Sequence, residues 1–161
     1  MMRSGFAGQS CAAANDAANH RINAAETTRM LVELHYAPLP YIGALAVHYW
    51  FVVYDDAGGC HRWEVWQTKD TGGASYGHVH CNLKAPQADV GGGPSRCAAV
   101  WHGDDARRIA AVLAEPERYP QGHRYRYWPG PNSNSYVAWV LRRAGIEYAL
   151  GWRGIGGKWR S

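Results

Sequence analysis

The run from Ala44 to Gln67 constrains this chain more than any other segment. Ala44 to Tyr54 is rich in β-branched and ring side chains, Asp55-Asp56-Ala57-Gly58-Gly59 interrupts it, and His61 to Gln67 resumes the pattern. Two such runs around a Gly-containing turn read as a β-hairpin. If Tyr54 pairs with Cys60, Trp50 lies opposite Glu64 and His48 opposite Trp66. His48, Trp50, Arg62, Glu64 and Trp66 then share one face, while Tyr49, Phe51, Val53, Trp63 and Val65 form core on the other. A register slip of one residue would exchange the two faces.

Other elements fit an antiparallel frame. Leu31, Val32, Leu34 and Tyr36 give a first strand, stopped by Pro38 and Pro40. Further short strands are predicted near Tyr76 to Leu83, Arg96 to Trp101 and His123 to Trp128. Asp104 to Glu115 carries Ile109, Val112 and Leu113 at helical spacing, and Asn134 to Ala144 aligns Val137, Val140, Leu141 and Ala144 before a Gly145 stop. The Gly91-Gly92-Gly93-Pro94 run is a loop and not a phosphate cradle, since no Lys-Ser/Thr follows it and no helix opens from it. The expected fold class is α+β, an antiparallel sheet with a few helices. Residues 1–29, rich in Ala and Asn with weak periodicity, are expected to be an arm, and residues 30–161 one domain.

Composition removes several functions. A chain of 161 residues lies close to the roughly 150 expected of one domain. A 47% hydrophobic content excludes disorder throughout. With 17 basic against 13 acidic groups, the net charge of +4 falls short of a dedicated nucleic-acid binder. The longest apolar run is broken by His48 and is far below the roughly 20 residues of a membrane span. The N-terminus lacks a Leu-rich secretion block, so a cytoplasmic location is expected. Cys11, Cys60, Cys81 and Cys97 include no CxxC pair and read as reduced thiols. Eight Trp and ten Tyr against two Phe favour half-wet clefts, because these rings carry a polar handle.

The segment with the most chemical content is Trp128-Pro129-Gly130-Pro131-Asn132-Ser133-Asn134-Ser135-Tyr136-Val137. Here a tight turn delivers the chain into a helix, and a side chain in the first helical turn sits at the positive end of the dipole beside unpaired N–H groups. Ser133 is placed there as a nucleophile, or Asn132, Ser133 or Asn134 merely caps the helix.

Gly130-Pro131-Asn132-Ser133-Asn134-Ser135-Tyr136 resembles the Gly-Pro-Asn-Ser-Asn-Thr/Ser-Phe/Tyr signature of a bacterial family known only as a domain of unknown function. Val32-Glu33-Leu34, Ala46 to Phe51, Arg62 to Trp66 and Ile155 to Trp159 are similar to other blocks of that family, in the same order. More distantly, Asn132 to Val137 resembles the Asn-Cys-x-x-Phe-Val helix start of the circularly permuted papain-like hydrolases, the NlpC-like and lecithin–retinol acyltransferase-like group. That resemblance implies a papain-like fold, with His48 in the position of the catalytic His and Ser133 where the thiol stands. A serine hydroxyl is a weaker nucleophile than a thiolate and needs a well-oriented base.

The expected chemistry is attack of Ser133 on an amide or ester, with His48 as base and Glu64 orienting it or pairing with Arg62 instead. Backbone N–H groups near Ser133 and Asn134 and the Asn132 side chain would hold the oxyanion, and Trp50, Trp66 and Trp128 would contact a small-molecule, peptide or lipid substrate. No cofactor is implied. The alternatives are an inactive binding domain of the same fold, or a zinc protein using His78, His80 and Cys81 with Cys60-His61. Arg124-Tyr125-Arg126-Tyr127 alternates cations and rings, but strand alternation would separate the two sets, giving a solvated and a buried face rather than a nucleic-acid groove.

Overall fold

A computed structural model describes residues 30–159. The arm expected at 1–29, with Cys11, lies outside the described residues. Strands β1 (Leu31–Pro38), β2 (Val47–Tyr54), β3 (Cys60–Val65), β4 (Ala74–Tyr76), β5 (Val79–Cys81) and β6 (Arg96–His102) form one antiparallel sheet in the order β4-β5-β3-β2-β1-β6. Helix α1 (Gly103–Leu113), a short turn of 3-10 helix (Pro116–Arg118) and helix α2 (Ser133–Arg143) follow. The protein is thus α+β.

The hairpin has the register implied by its turn, with Tyr54 opposite Cys60, Val52 opposite Arg62 and Phe51 opposite Trp63. Asp55 Oδ1 accepts from the N–H groups of Ala57 and Gly59, and Gly58 takes a left-handed φ of 82°. A short acidic side chain and a glycine therefore close the turn together. β2 begins only at Val47, because Leu45 and Ala46 donate back to Ile42 in a turn.

Both faces of β2 are buried. On one face Val32, Leu34, Phe51 and Val53 pack with Ile109 and Leu113 of α1 and with Tyr136, Val137, Val140 and Leu141 of α2. Each such aliphatic or ring side chain contributes about 1.5–3 kcal/mol by leaving water. On the other face Ala37, Trp50, Val52 and Val90 form a smaller cluster. The loop following β5 covers it, tied by Trp50 Nε1 to the Pro86 carbonyl and by Arg62 to the Ala85 and Ala88 carbonyls.

Two expected strands differ. The stretch from Tyr76 to Leu83 contains a reversal at Gly77, whose φ of 59° allows β4 and β5 to pair as a hairpin. Residues 123–128 are not a strand: Arg126 N–H donates to the Pro131 carbonyl, and Tyr125 packs on the His78 ring. Their alternating pattern finds no partner ladder among the described residues, and Tyr125 is held instead by ring contacts. No helix among the described residues is long and apolar enough to cross a membrane.

Candidate active site

The start of α2 is fixed by two asparagines with different tasks. Asn132 Oδ1 accepts from the N–H groups of Asn134 at 3.0 Å and Ser135 at 3.2 Å, while Ser135 Oγ accepts from the Asn132 N–H at 3.2 Å. This reciprocal cap satisfies donors that the helix itself leaves open. Asn132 Nδ2 donates to the carbonyls of Tyr127 and Ile155. The expectation that this side chain holds an oxyanion is therefore corrected, since both amide protons already serve the backbone. With Tyr136 N–H bonded to the Asn132 carbonyl, the Ser133 N–H is the first-turn donor left without a partner among the described residues.

Asn134 instead joins the helix to the sheet. Its Oδ1 accepts from Tyr49 N–H at 3.1 Å, and its Nδ2 donates to the carbonyls of Val47 and Ile155, each at 2.9 Å. Groups two residues apart on a strand point to the same edge. The β2–β3 ladder runs from Tyr54–Cys60 to Phe51–Trp63, so beyond it the Asn134 amide occupies the place of a strand partner. The two peptide groups it binds are those flanking His48. Gly156 completes the arrangement: a Cβ there would come within 2.5 Å of the Asn132 amide, and its φ is 94°.

His48 is buried with Glu64 and Arg62. Its Nε2 lies 2.9 Å from Glu64 Oε2, which also accepts from Arg62 Nη2 at 2.7 Å. Arg62 lies over the Trp50 ring at 4.1 Å. Burial drives the Glu64 carboxyl upward, but hydrogen bonding and charge from His48 and then Arg62 overcome it, and the net pKa is lowered. An ionised carboxylate can only accept, so His48 carries its proton on Nε2 and presents a bare Nδ1 lone pair. Burial lowers the His48 pKa against the raising effect of Glu64, which keeps the ring neutral at neutral pH.

Both shifts have the same consequence for stability. A native pKa below that of the unfolded chain means the unfolded state binds more protons, so stability falls as pH falls. Loss should begin through His48 below its ordinary 6.5 and continue through Glu64 below 4.5. The urea midpoint should thus be flat near pH 7 and decline from pH 6.5 to 4, with His48→Gln flattening the upper limb. A midpoint equal at pH 7 and pH 5 would contradict this account.

Comparison with known families gives a match over most of the chain. The model of a protein of unknown function, DUF3750, aligns with residues 29–159. The chain belongs to the DUF3750 family. Neither the curated proteins nor the solved structures gave a match.

In this DUF3750 chain His48 opens onto a cavity of about 260 Å³. Leu39, Pro40 and Ile42 from the β1–β2 turn line it, with Trp66 and Gln67 after β3, Val90, Tyr125 and Tyr127. Of the rings expected to meet a substrate, Trp66 lines the cavity and touches His48 edge-on at 5.0 Å. Trp50 does not, being fully buried beneath Arg62, and Trp128 stands 71% exposed outside the lining. Ser133 is buried, its Oγ 3.4 Å from Asn134 Oδ1, and it neither lines this cavity nor hydrogen-bonds to His48. His78 Nδ1 donates to the Trp66 carbonyl, and His80 uses both nitrogens, on Thr68 and Ser75. The wall residues other than His48 and Trp66 escaped sequence reasoning. Their signal is a β1–β2 turn that is apolar where turns are ordinarily polar, with Tyr41, Ile42 and Leu45 all exposed.

Proposed function

We propose that this DUF3750 protein is a serine-type hydrolase or acyltransferase acting on an amide or ester, related in plan to the circularly permuted papain-like enzymes. The observation that carries this reading is the Asn134 clamp. It binds the residue next to Ser133 against the two peptide groups that flank His48, whose free nitrogen is Nδ1. In the reaction, Ser133 Oγ attacks the carbonyl carbon and its proton passes to His48 Nδ1. The Ser133 N–H stabilises the oxyanion. His48 then returns the proton to the departing amine or alcohol as the acyl–oxygen or acyl–nitrogen bond breaks, leaving an acyl-serine for water or another acceptor. Ser133 Oγ must turn from Asn134 toward His48 when substrate enters, a tightening familiar from sites described without substrate.

A second reading, an inactive domain that binds an apolar ligand, draws on the cavity, which His48 lines and Ser133 does not. A fluorophosphonate separates the two. Intact-mass analysis should show one adduct on the parent protein, mapped to Ser133 and absent from Ser133→Ala. His48→Ala should slow labelling by about 100-fold or more, the usual share of a general base. A folded parent that takes no label, or a Ser133→Ala variant that still does, would remove the catalytic reading.

A further inference from the structure

We propose a second site on the same sheet: a thiolate-containing transition-metal site, best suited to zinc, formed by Glu33, His35 and Cys97. One donor atom from each lies within 4.8 Å of the other two. His35 Nε2 is 2.7 Å from Glu33 Oε2, and Tyr54 Oη donates to that same carboxylate oxygen at 3.2 Å. Imidazole, carboxylate and thiolate are the ligand types zinc takes, at about 2.0–2.3 Å. A tetrahedral set at those lengths has donors roughly 3.5 Å apart, so an ion would part the His35–Glu33 pair from 2.7 Å and draw in the Cys97 donor, which lies within 4.8 Å.

Two further observations point the same way. First, the strand register is adjusted for Cys97. Glu33 pairs with Val100 and Leu34 with Ala99, but His35 pairs with Cys97, because a bulge between Leu34 and His35 skips Ala98. Without it Cys97 would lie opposite Tyr36 and project from the core face. The bulge turns the thiol onto the face of Glu33 and His35, as bulges do where a side chain must be re-aimed. Second, His35 is 95% buried by its 5% relative exposure, and among the described residues its ring is held by no backbone group. Among the described residues its Nδ1 has no hydrogen-bond partner. His78 and His80, by contrast, are fixed on carbonyls. With no backbone group fixing its tautomer, the His35 ring can carry its proton on Nδ1 and offer Nε2 to an ion.

Metal binding would release the Cys97 thiol proton to solvent and move the imidazole proton from Nε2 to the unpartnered Nδ1. Three protein ligands leave a fourth position for water, and Cys97 is exposed, giving the ion a way in.

The test is equilibrium dialysis of the full chain against a small excess of Zn²⁺, with metal counted per chain, and Co²⁺ as an optical probe of thiolate coordination. One equivalent on the parent is expected, with alkylation of Cys97 suppressed. Cys97→Ser, a change at an exposed position whose hydroxyl can still donate to the Ala99 carbonyl, should weaken binding at least tenfold and abolish the thiolate–cobalt absorption, and Glu33→Gln should also weaken binding. His35→Gln serves as a third variant if it folds, since the ring also stacks on Trp50. No bound zinc on the parent, or an unchanged equivalent on Cys97→Ser, would overturn the proposal.

Discussion

Replacing Glu64 with leucine should destabilise the protein by about 3–5 kcal/mol, the cost of stranding a buried partner charge. Arg62 and Glu64 have no exposed surface, and the guanidinium would remain above Trp50 without its counter-charge. The paired change Arg62→Met with Glu64→Leu should recover at least half of that loss, because removing both charges also removes their desolvation. Recovery stops short of completeness: Arg62 Nη1 also holds the Ala85 and Ala88 carbonyls of the covering loop. Urea unfolding of the parent, both single variants and the double variant gives the coupling directly. A double variant no better than Glu64→Leu would mean that Arg62 acts mainly as a loop anchor. The parent trio is neutral overall, a carboxylate and a guanidinium beside an uncharged imidazole, and this explains why acid, by charging His48, should loosen it.

The placement of this trio was legible because the hairpin encodes it. A short turn sets the register, and period-two alternation then assigns every side chain from His48 to Trp66 to a face. The same logic failed at residues 123–128, where alternation was present but no neighbouring strand offered a ladder. It also hid the hairpin turn within Tyr76 to Leu83, because a left-handed glycine reverses the chain within what reads as one run. The Asn132 cap could be read from sequence, being local. The role of Asn134 could not: its partners lie 85 and 87 residues away, at Tyr49 and Val47, and such pairing follows from where β3 leaves β2. The Cys97 placement was equally hidden, since a bulge shifts register without a sequence mark beyond small alanines. The cavity walls come from segments distant in sequence, and only folding brings Tyr125 and Tyr127 to the β1–β2 turn.

The largest combined effect is expected at Asn134. Alanine there would strand the Tyr49 N–H and the Val47 carbonyl, and would remove one of the two donors to the Ile155 carbonyl. At about 1–3 kcal/mol for each buried group left unpaired, the loss should reach about 2–6 kcal/mol. Aspartate distinguishes hydrogen bonding from packing. It keeps the acceptor for Tyr49 but sets a carboxylate against the Val47 and Ile155 carbonyls, so near neutral pH Asn134→Asp should be no better than Asn134→Ala. Crowding by those oxygens raises the pKa of the new carboxyl, and a group with a raised native pKa regains stability as pH falls. Relative to the parent at each pH, Asn134→Asp should therefore improve toward pH 5, while Asn134→Ala should not. If the clamp also aligns the helix with His48, fluorophosphonate labelling of Ser133 in these variants should fall even where urea titration shows them fully folded. Labelling at the parent rate in a folded Asn134→Ala protein would separate the clamp from the chemistry and confine it to joining the helix to the sheet.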